Sequence, residues 1–412
     1  MARQMKDSEV EWIGEIPEDA KLIQFRFIAD ISTGNMDTQN RVDDGEYPFY
    51  VRSPKIERSN KYSFDDVEAI LMAGDGVGAG RVFHYVQGKY ACHQRVYRMS
   101  NFKFVQSSFL KYYLQSLFPM VMDQGSAKST VDSVRLPMLQ KFKIVVFTES
   151  EQKKIADFLD EKVGEIDSVI AKTKETVEDY KKYKKAIITD AVTKGLNSDV
   201  EMKDTDSKWI GKIPVHWDYV RIQNLFEIID ERNDNPNACL LSLYTSLGVK
   251  PRSELEEKGN KAVTVMNYKI VKKDDIIVNK LLAWMGAIGY SEYEGVTSPD
   301  YDVYRAKEKA PVIKTYYNEY FRHTCFNGDC YKYGHGIMLM RWRTYPEELM
   351  RIKVPNPPIE EQKEIAAYLN EKCSEIDKLI TKKEGLIADL ESYRKSLIYE
   401  YVTGKKSILK NI

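Results

Sequence analysis

The closest approach to a reactive cluster in this chain is His323, Cys325, Cys330 and His335, two thiols and two imidazoles within 13 residues. Such donors suit zinc, which takes four ligands at tetrahedral corners. The spacing, His-x-Cys-x4-Cys-x4-His, matches no standard finger, and the first half of the chain has no counterpart, so free buried thiols and no metal are expected. Gly74-Asp75-Gly76-Val77-Gly78-Ala79 follows a strand-like run and has the outline of a dinucleotide fingerprint. That fingerprint needs a helix next, whose N-terminus meets the pyrophosphate. The residues that follow, Arg81 to Val86, alternate like a strand, which points to a loop whose glycines allow close backbone approach. Asn356-Pro357-Pro358-Ile359 has the outline of the motif with which adenine-modifying enzymes hold an extruded base. Ile359 stands where an aromatic ring must stack, and no glycine-rich loop for a methyl donor lies upstream. Its prolines read instead as a rigid lead-in to a helix. There is no Walker loop for ATP, and no Ser-His-Asp or paired-carboxylate set can be singled out. No catalytic residue is assigned.

What remains is a chemistry of contact. The chain has 62 basic and 62 acidic residues, so its net charge is zero. Between Arg81 and Val145, however, ten Lys/Arg stand against two acids, Asp123 and Asp132. A local excess of that size can neutralise phosphates. Tyrosines, 27 in all, interleave with basic residues, as in Arg95-Val96-Tyr97-Arg98, Tyr331-Lys332-Tyr333 and Arg341-Trp342-Arg343-Thr344-Tyr345. Cations hold phosphates while polar and aromatic edges meet bases, so this pattern suits a nucleic-acid surface.

The elements that must position these residues are written twice. Trp12-Ile13-Gly14-Glu15-Ile16-Pro17 returns as Trp209-Ile210-Gly211-Lys212-Ile213-Pro214. Glu151-Gln152-Lys153-Lys154-Ile155-Ala156 returns as Glu361-Gln362-Lys363-Glu364-Ile365-Ala366, and from Glu151 to Thr193 the copies agree at 19 of 43 positions. Between these shared frames lie dissimilar inserts, Asp30–Val145 and Asp230–Lys353. In the frames, Leu159, Val163, Ile166, Ile170, Thr173 and Val177 follow steps of four and three, as do Leu369, Cys373, Ile376, Ile380, Lys383 and Ile387. That spacing is a coiled-coil seam, which keeps one stripe facing a partner helix. Lys184 and Arg394 occupy equivalent seam positions further along, and Gly195 and Gly404 follow as stops. The simplest arrangement pairs the two copies within one chain. The inserts read as mixed α/β, with strands over Val67–Met72, Tyr90–Met99, Asp275–Asn279 and Val303–Arg305, and helices over Phe109–Phe118 and Pro311–His323.

Four hundred and twelve residues with 43% apolar content describe an ordinary folded protein of two or three domains. There is no apolar run long enough for a membrane span and no apolar signal core in MARQMKDSEV. Five scattered cysteines, an odd number, suit a reducing compartment. A cytoplasmic location is expected.

Trp-Ile-Gly-x-Ile-Pro at the head of each half, and Glu-Gln-Lys-x-Ile-Ala-x-x-Leu opening each long helix, resemble the specificity subunits of type I restriction-modification systems. So do Ile352 to Glu360, Asn279-Lys280-Leu281-Leu282-Ala283-Trp284-Met285-Gly286-Ala287-Ile288-Gly289, Ser298-Pro299-Asp300-Tyr301 and Gly125-Ser126-Ala127-Lys128-Ser129-Thr130. The likeness covers nearly the whole chain in order. Val146-Phe147-Thr148-Glu149 departs from it, since the family has a proline-rich lead-in there. The resemblance implies a first target-recognition domain over 1–150, a first long helix and linker over 151–207, a second recognition domain over 208–358 and a second long helix over 359–412. It implies antiparallel coiled-coil helices related by a pseudo-two-fold axis, the symmetry of duplex DNA itself. It also implies partners: double-stranded DNA with a bipartite asymmetric site, two methyltransferase subunits that use S-adenosylmethionine on adenine, and motor-nuclease subunits that use ATP and Mg. The chain itself is expected to bind no cofactor. Polar and basic residues beside glycine loops and strand ends are the candidates for DNA contact: Arg81, His93, Gln94, Arg95, Ser129 and Thr130 in the first half, and Asn279, Lys280, Trp284, Tyr301, Arg341 and Arg343 in the second. A coiled-coil scaffold for protein partners and a self-sufficient DNA-modifying enzyme are the competing readings.

Overall fold

The structure, a computed structural model, describes residues 3–125, 132–245, 247–254, 264–338 and 342–408. It divides into two compact units, Met1–Lys174 with Glu384–Ile412, and Glu175–Lys383.

In the first unit a sheet holds β1 (Asp30–Thr33), β2 (Tyr47–Tyr50), β3 (Ile56–Ser59), β4 (Phe64–Ala73), β5 (Phe83–Cys92) and β6 (Val96–Ser100). Their order is β1-β6-β4-β5-β2-β3, antiparallel except where β2 meets β5. Successive strand residues point to opposite faces. Ile70 and Met72 accordingly enter the core with Phe109, Leu110 and Tyr113 of helix α1 (Ser107–Gly125), while Ala69 and Leu71 enter a smaller cluster with Val86, Tyr90 and Val96. Burial on both faces is why this stretch reads as a continuous apolar run. The strand expected over Tyr90–Met99 is in fact two strands. The chain turns at His93-Gln94-Arg95, where Nδ1 of His93 accepts the Arg95 N–H at 3.0 Å and the Val96 N–H donates to the His93 carbonyl at 2.9 Å.

The second unit carries β7 (Phe226–Ile229), β8 (Ile276–Asn279), β9 (Ile288–Tyr290) and β10 (Tyr301–Ala306) in the antiparallel order β7-β10-β8-β9. This repeats the β1-β6-β4-β5 order of the first sheet, so inserts with little sequence similarity share one scaffold. The burial pattern repeats as well. Ile276 and Val278 enter the larger core and Ile277 the smaller one. The helix expected over Pro311–His323 is shorter, α3 (Lys314–Phe321), because His323 caps a new helix by accepting the Cys325 N–H at 3.3 Å.

The long helices run from Glu149 to Lys194 (below, α2) and from Ile359 to Val402 (below, α4). Gly195, at φ +79°, ends α2 in the left-handed conformation that disfavours side-chain residues. In the first unit Phe158 packs on Tyr401 with ring centroids 4.6 Å apart, Asp167 pairs with Arg394 at 2.8 Å, and Lys174 pairs with Glu391 at 3.2 Å. Rising numbers on one helix against falling numbers on the other make this an antiparallel pair. The second unit has the matching contact, Lys184 to Asp377 at 2.7 Å. Among the seam residues, Leu159, Ile166 and Ile170 are buried in the first core with Ile387 packed against it. Leu369 and Ile376 are buried in the second, with Ile380 packed against it, and Val177 is 4% exposed. Among the described residues no helix is long and apolar enough to cross a membrane.

The shared glutamine of each frame fastens the helix start to its domain. The Gln152 amide accepts the Gln106 N–H at 2.8 Å and donates to the carbonyls of Phe104 and Phe147. Gln362 does the same with Ile313, Pro311 and Pro357, and both side chains are buried. Replacing either by alanine strands three backbone groups. Each costs about 1–3 kcal/mol when buried and unpaired, so Gln152→Ala or Gln362→Ala is expected to lower stability by about 3 kcal/mol or more. Urea unfolding checks this, and an unchanged midpoint would mean that water replaces the amide.

Candidate nucleic-acid interface

In the first unit the turn between β4 and β5 meets two other segments. Gly74 donates to the Arg95 carbonyl at 2.9 Å and accepts from Val134 at 2.8 Å, while Gly76 donates to Asp132 at 3.0 Å. A Cβ on Gly74 would lie 2.8 Å from the Arg95 carbonyl oxygen, and one on Gly78 2.5 Å from that of Arg52. The glycines therefore let backbones touch, as the loop reading requires, and a strand rather than a helix follows them.

Two networks of paired charges sit on this junction. Asp75 bridges Arg52 at 2.8 Å and Arg95 at 2.6 Å. Arg81 bridges Asp123 at 2.5 Å and Asp132 at 2.8 Å. Burial works against the Asp75 carboxylate, but the two guanidinium hydrogen bonds outweigh it and hold its pKa below the usual value. Gln94 donates to Asp37 at 2.6 Å. His93 is 4% exposed, and burial lowers its pKa, with the positive charge of Arg52 adding to the effect. Its Nδ1 accepts the Arg95 N–H, so the ring serves the turn. Arg52, Asp75, Gly76, Gly78, Arg81 and His93 line a cleft of about 560 Å³, and Val77 projects beside it, 98% exposed. Ser129 and Thr130 lie outside the described residues.

The second unit builds the same junction with other side chains. Thr344 donates to the Lys280 carbonyl at 3.0 Å, matching the bond from Val134 to Gly74. Asn279, 8% exposed, accepts the Leu281 N–H at 3.0 Å and shapes the turn. Lys280 lies 3.6 Å from Asp302, which also pairs with Lys269 at 3.0 Å. The Trp284 indole donates to Leu281 at 3.0 Å and meets Tyr331 edge-on, and Tyr331 in turn stacks on Trp342. Tyr301 sits opposite Asn279 in the sheet register. Arg343 is exposed, with its backbone bridged to His335. Arg341 lies outside the described residues.

The structure thus gathers Arg81, His93, Gln94 and Arg95 at one junction, and Asn279, Lys280, Trp284, Tyr301 and Arg343 around the equivalent one. Sequence reasoning missed Arg52 and Asp75. Asp75 stood in plain view within the glycine loop, but its role as a double arginine acceptor depends on Arg52, 23 residues away.

The residues of the other motifs are occupied elsewhere. His323 is hydrogen-bonded to Thr189 at 2.9 Å, and the Cys325 thiol donates to the Trp209 carbonyl at 3.2 Å. Burial pushes the Cys325 thiol up to about 11 and that of Cys330 well above its usual value. No group of three or more possible metal ligands occurs among the described residues. The Asn356 amide, 7% exposed, accepts from Tyr317 at 2.9 Å and from Gln362 at 3.2 Å at the lead-in to α4.

The family model for the type I restriction modification DNA specificity domain matches residues 17–188. The type I restriction enzyme EcoDI specificity subunit of Escherichia coli is 22% identical over 416 residues, covering 95% of this chain and 90% of its own. A chain solved in work on complex assembly and conformational transition of the type I R-M system superposes with a TM-score of 0.67 at 12% identity, covering 94% of this chain and 98% of that one. The HsdS subunit from Thermoanaerobacter tengcongensis superposes with a TM-score of 0.51 at 14% identity, covering 97% and 100%. Residues 17–188 therefore match the type I restriction modification DNA specificity domain, and nearly the whole chain shares the fold of chains solved from type I restriction-modification systems.

Proposed function

We propose that this chain is the DNA-reading subunit of a type I restriction-modification complex, each unit reading one part of a bipartite asymmetric site. The observation that carries the proposal is the pair of equivalent strand-turn junctions, one built from arginine-carboxylate bridges and the other from lysine and stacked aromatic rings. One scaffold presenting two different surfaces suits the reading of two different half-sites. Arginine pre-set by a carboxylate loses little freedom on meeting a guanine edge or a phosphate. The chain carries no catalytic centre of its own. Two methyltransferase subunits supply S-adenosylmethionine chemistry on adenine, motor-nuclease subunits supply ATP- and Mg-dependent restriction, and the complex works in the cytoplasm.

The purified chain alone is expected to transfer no methyl groups to DNA, and with its methyltransferase subunit to direct adenine methylation to a two-part site. Radiolabelled methyl transfer followed by modification sequencing measures both. Transfer by the chain alone would revive Asn356-Pro357-Pro358-Ile359 as a catalytic motif.

A further inference from the structure

The turn between β4 and β5 holds an apolar side chain clear of the protein. Gly76-Val77-Gly78-Ala79 closes on itself, the Ala79 N–H donating to the Gly76 carbonyl at 2.9 Å. The backbone around it is fastened at every step. Gly76 donates to Asp132 at 3.0 Å, Gly80 to Ala73 at 2.9 Å, and Arg81 and Val82 both to Gly78 at 3.0 Å. Ala79 is fully buried behind the turn. Val77, by contrast, stands between two residues without side chains and is 98% exposed where it lines the cleft with Arg52, Asp75 and Arg81. A rigid turn thus presents a branched apolar group to solvent, two residues from the Asp75 carboxylate that holds Arg95.

We propose that Val77 covers the C5 methyl of one thymine in the half-site read by the first unit. The inference rests on the proposed function and adds one base to it. The major groove, about 12 Å wide, admits a two-stranded ribbon such as the β4–β5 pair, and the thymine methyl is the apolar group that base edges present there. Contact between the two takes apolar surface of both out of water. Side chains that wedge between base steps are larger, such as Phe, Leu, Ile and Met. Valine branches at Cβ and reaches one carbon further, which suits lying against a base edge. The tie from Asp75 to Arg95 puts the thymine in the half-site where Arg95→Ala acts.

Exchanging single thymines of the selected site for uracil tests this, since the exchange removes one methyl and keeps the base pairing. Competition binding of the full-length chain with its methyltransferase subunit is measured at every thymine in turn. Wild type is expected to lose about fourfold in affinity at one thymine, the worth of one buried methyl group, and little at the others. Val77→Ala is expected to bind the thymine site about fourfold more weakly, with an unchanged melting temperature, and to show no further response to uracil at that position. Val67, in the first half of β4, is nearly as bare at 92% exposure, and Val67→Ala is expected to keep the wild-type response. Equal uracil responses in wild type and Val77→Ala, or a half-site in which no thymine methyl matters, would overturn the inference and leave the proposed function standing. So would a Val77→Ala defect confined to binding of the methyltransferase subunit, which would make protein the occupant. A complex that selects no two-part site at all would overturn the proposed function first, and the inference with it.

Discussion

Lengthening both long helices by one heptad, after Lys174 and after Glu384, is expected to add roughly three base pairs to the unread spacer of the DNA site and to leave both half-sites unchanged. Seven residues restore the four-three register of the seam. The insertions also leave each cross-helix ion pair on one side of the added turns. Asp167–Arg394 and Lys174–Glu391 stay together in the first unit, and Lys184–Asp377 stays together in the second. Only the length of continuous helix that runs from one unit into the other changes, by about 10.5 Å at 1.5 Å per residue. At about 3.4 Å per base pair, that corresponds to about three pairs. The accompanying rotation of the duplex costs affinity, so weaker binding is compatible with the expectation. Site selection with the methyltransferase subunit present is the measurement. An unchanged spacer, or altered half-site bases, would mean that the helices do not set the distance.

The second large effect is expected at the Asp75 bridge. Arg95 is the more exposed of the two arginines, with 61% of its side chain accessible, and Asp75 fixes its direction. Arg95→Ala is expected to cost about 1–3 kcal/mol at one base pair of one half-site and little at the others. Asp75→Asn removes the bridging charge while keeping the shape. It is expected to raise affinity for unrelated DNA, because an acid leaves the surface proposed to meet phosphate, and to lower discrimination, because Arg52 and Arg95 lose their fixed direction. Competition binding against a panel of single-base variants separates the two, since a phosphate contact shifts all sequences alike and a base contact shifts one position. Uniform weakening by Arg95→Ala would place that residue on the backbone.

The long helices were legible because a heptad seam declares itself over many turns, and the repeat was legible because both copies kept Trp-Ile-Gly and Glu-Gln-Lys. The sheets were less so. The turn at His93-Gln94-Arg95 contains no glycine or proline, and an imidazole nitrogen makes it, so the sequence shows a single apolar-rich stretch. The role of the shared glutamines was also hidden, since their partners Gln106 and Ile313 lie 46 and 49 residues away. In the candidate site the basic residues were visible as types. Which acid orients which arginine is settled by β4 and β6 lying side by side, a pairing no local pattern announces.

The first unit is sewn from two distant stretches of the chain. The Tyr399 hydroxyl donates to the Ile13 carbonyl at 2.9 Å across 386 residues, and Leu397, Ile398 and Val402 complete the core that holds Ile13 and Ile16. The second unit is one uninterrupted stretch, Glu175–Lys383. During synthesis, which proceeds from the N-terminus, the earlier stretch of the first unit must therefore wait for the later one. The sheet of the first unit emerges early, yet the apolar seam along Leu159, Ile166 and Ile170 stays uncovered until the ribosome has delivered the second long helix. A chain cut short before Glu384 would fold its later unit and leave its earlier one open. Synthesis through the second long helix is thereby a condition for a closed first unit, and a product truncated before it carries an exposed apolar stripe by which proteolysis can single it out.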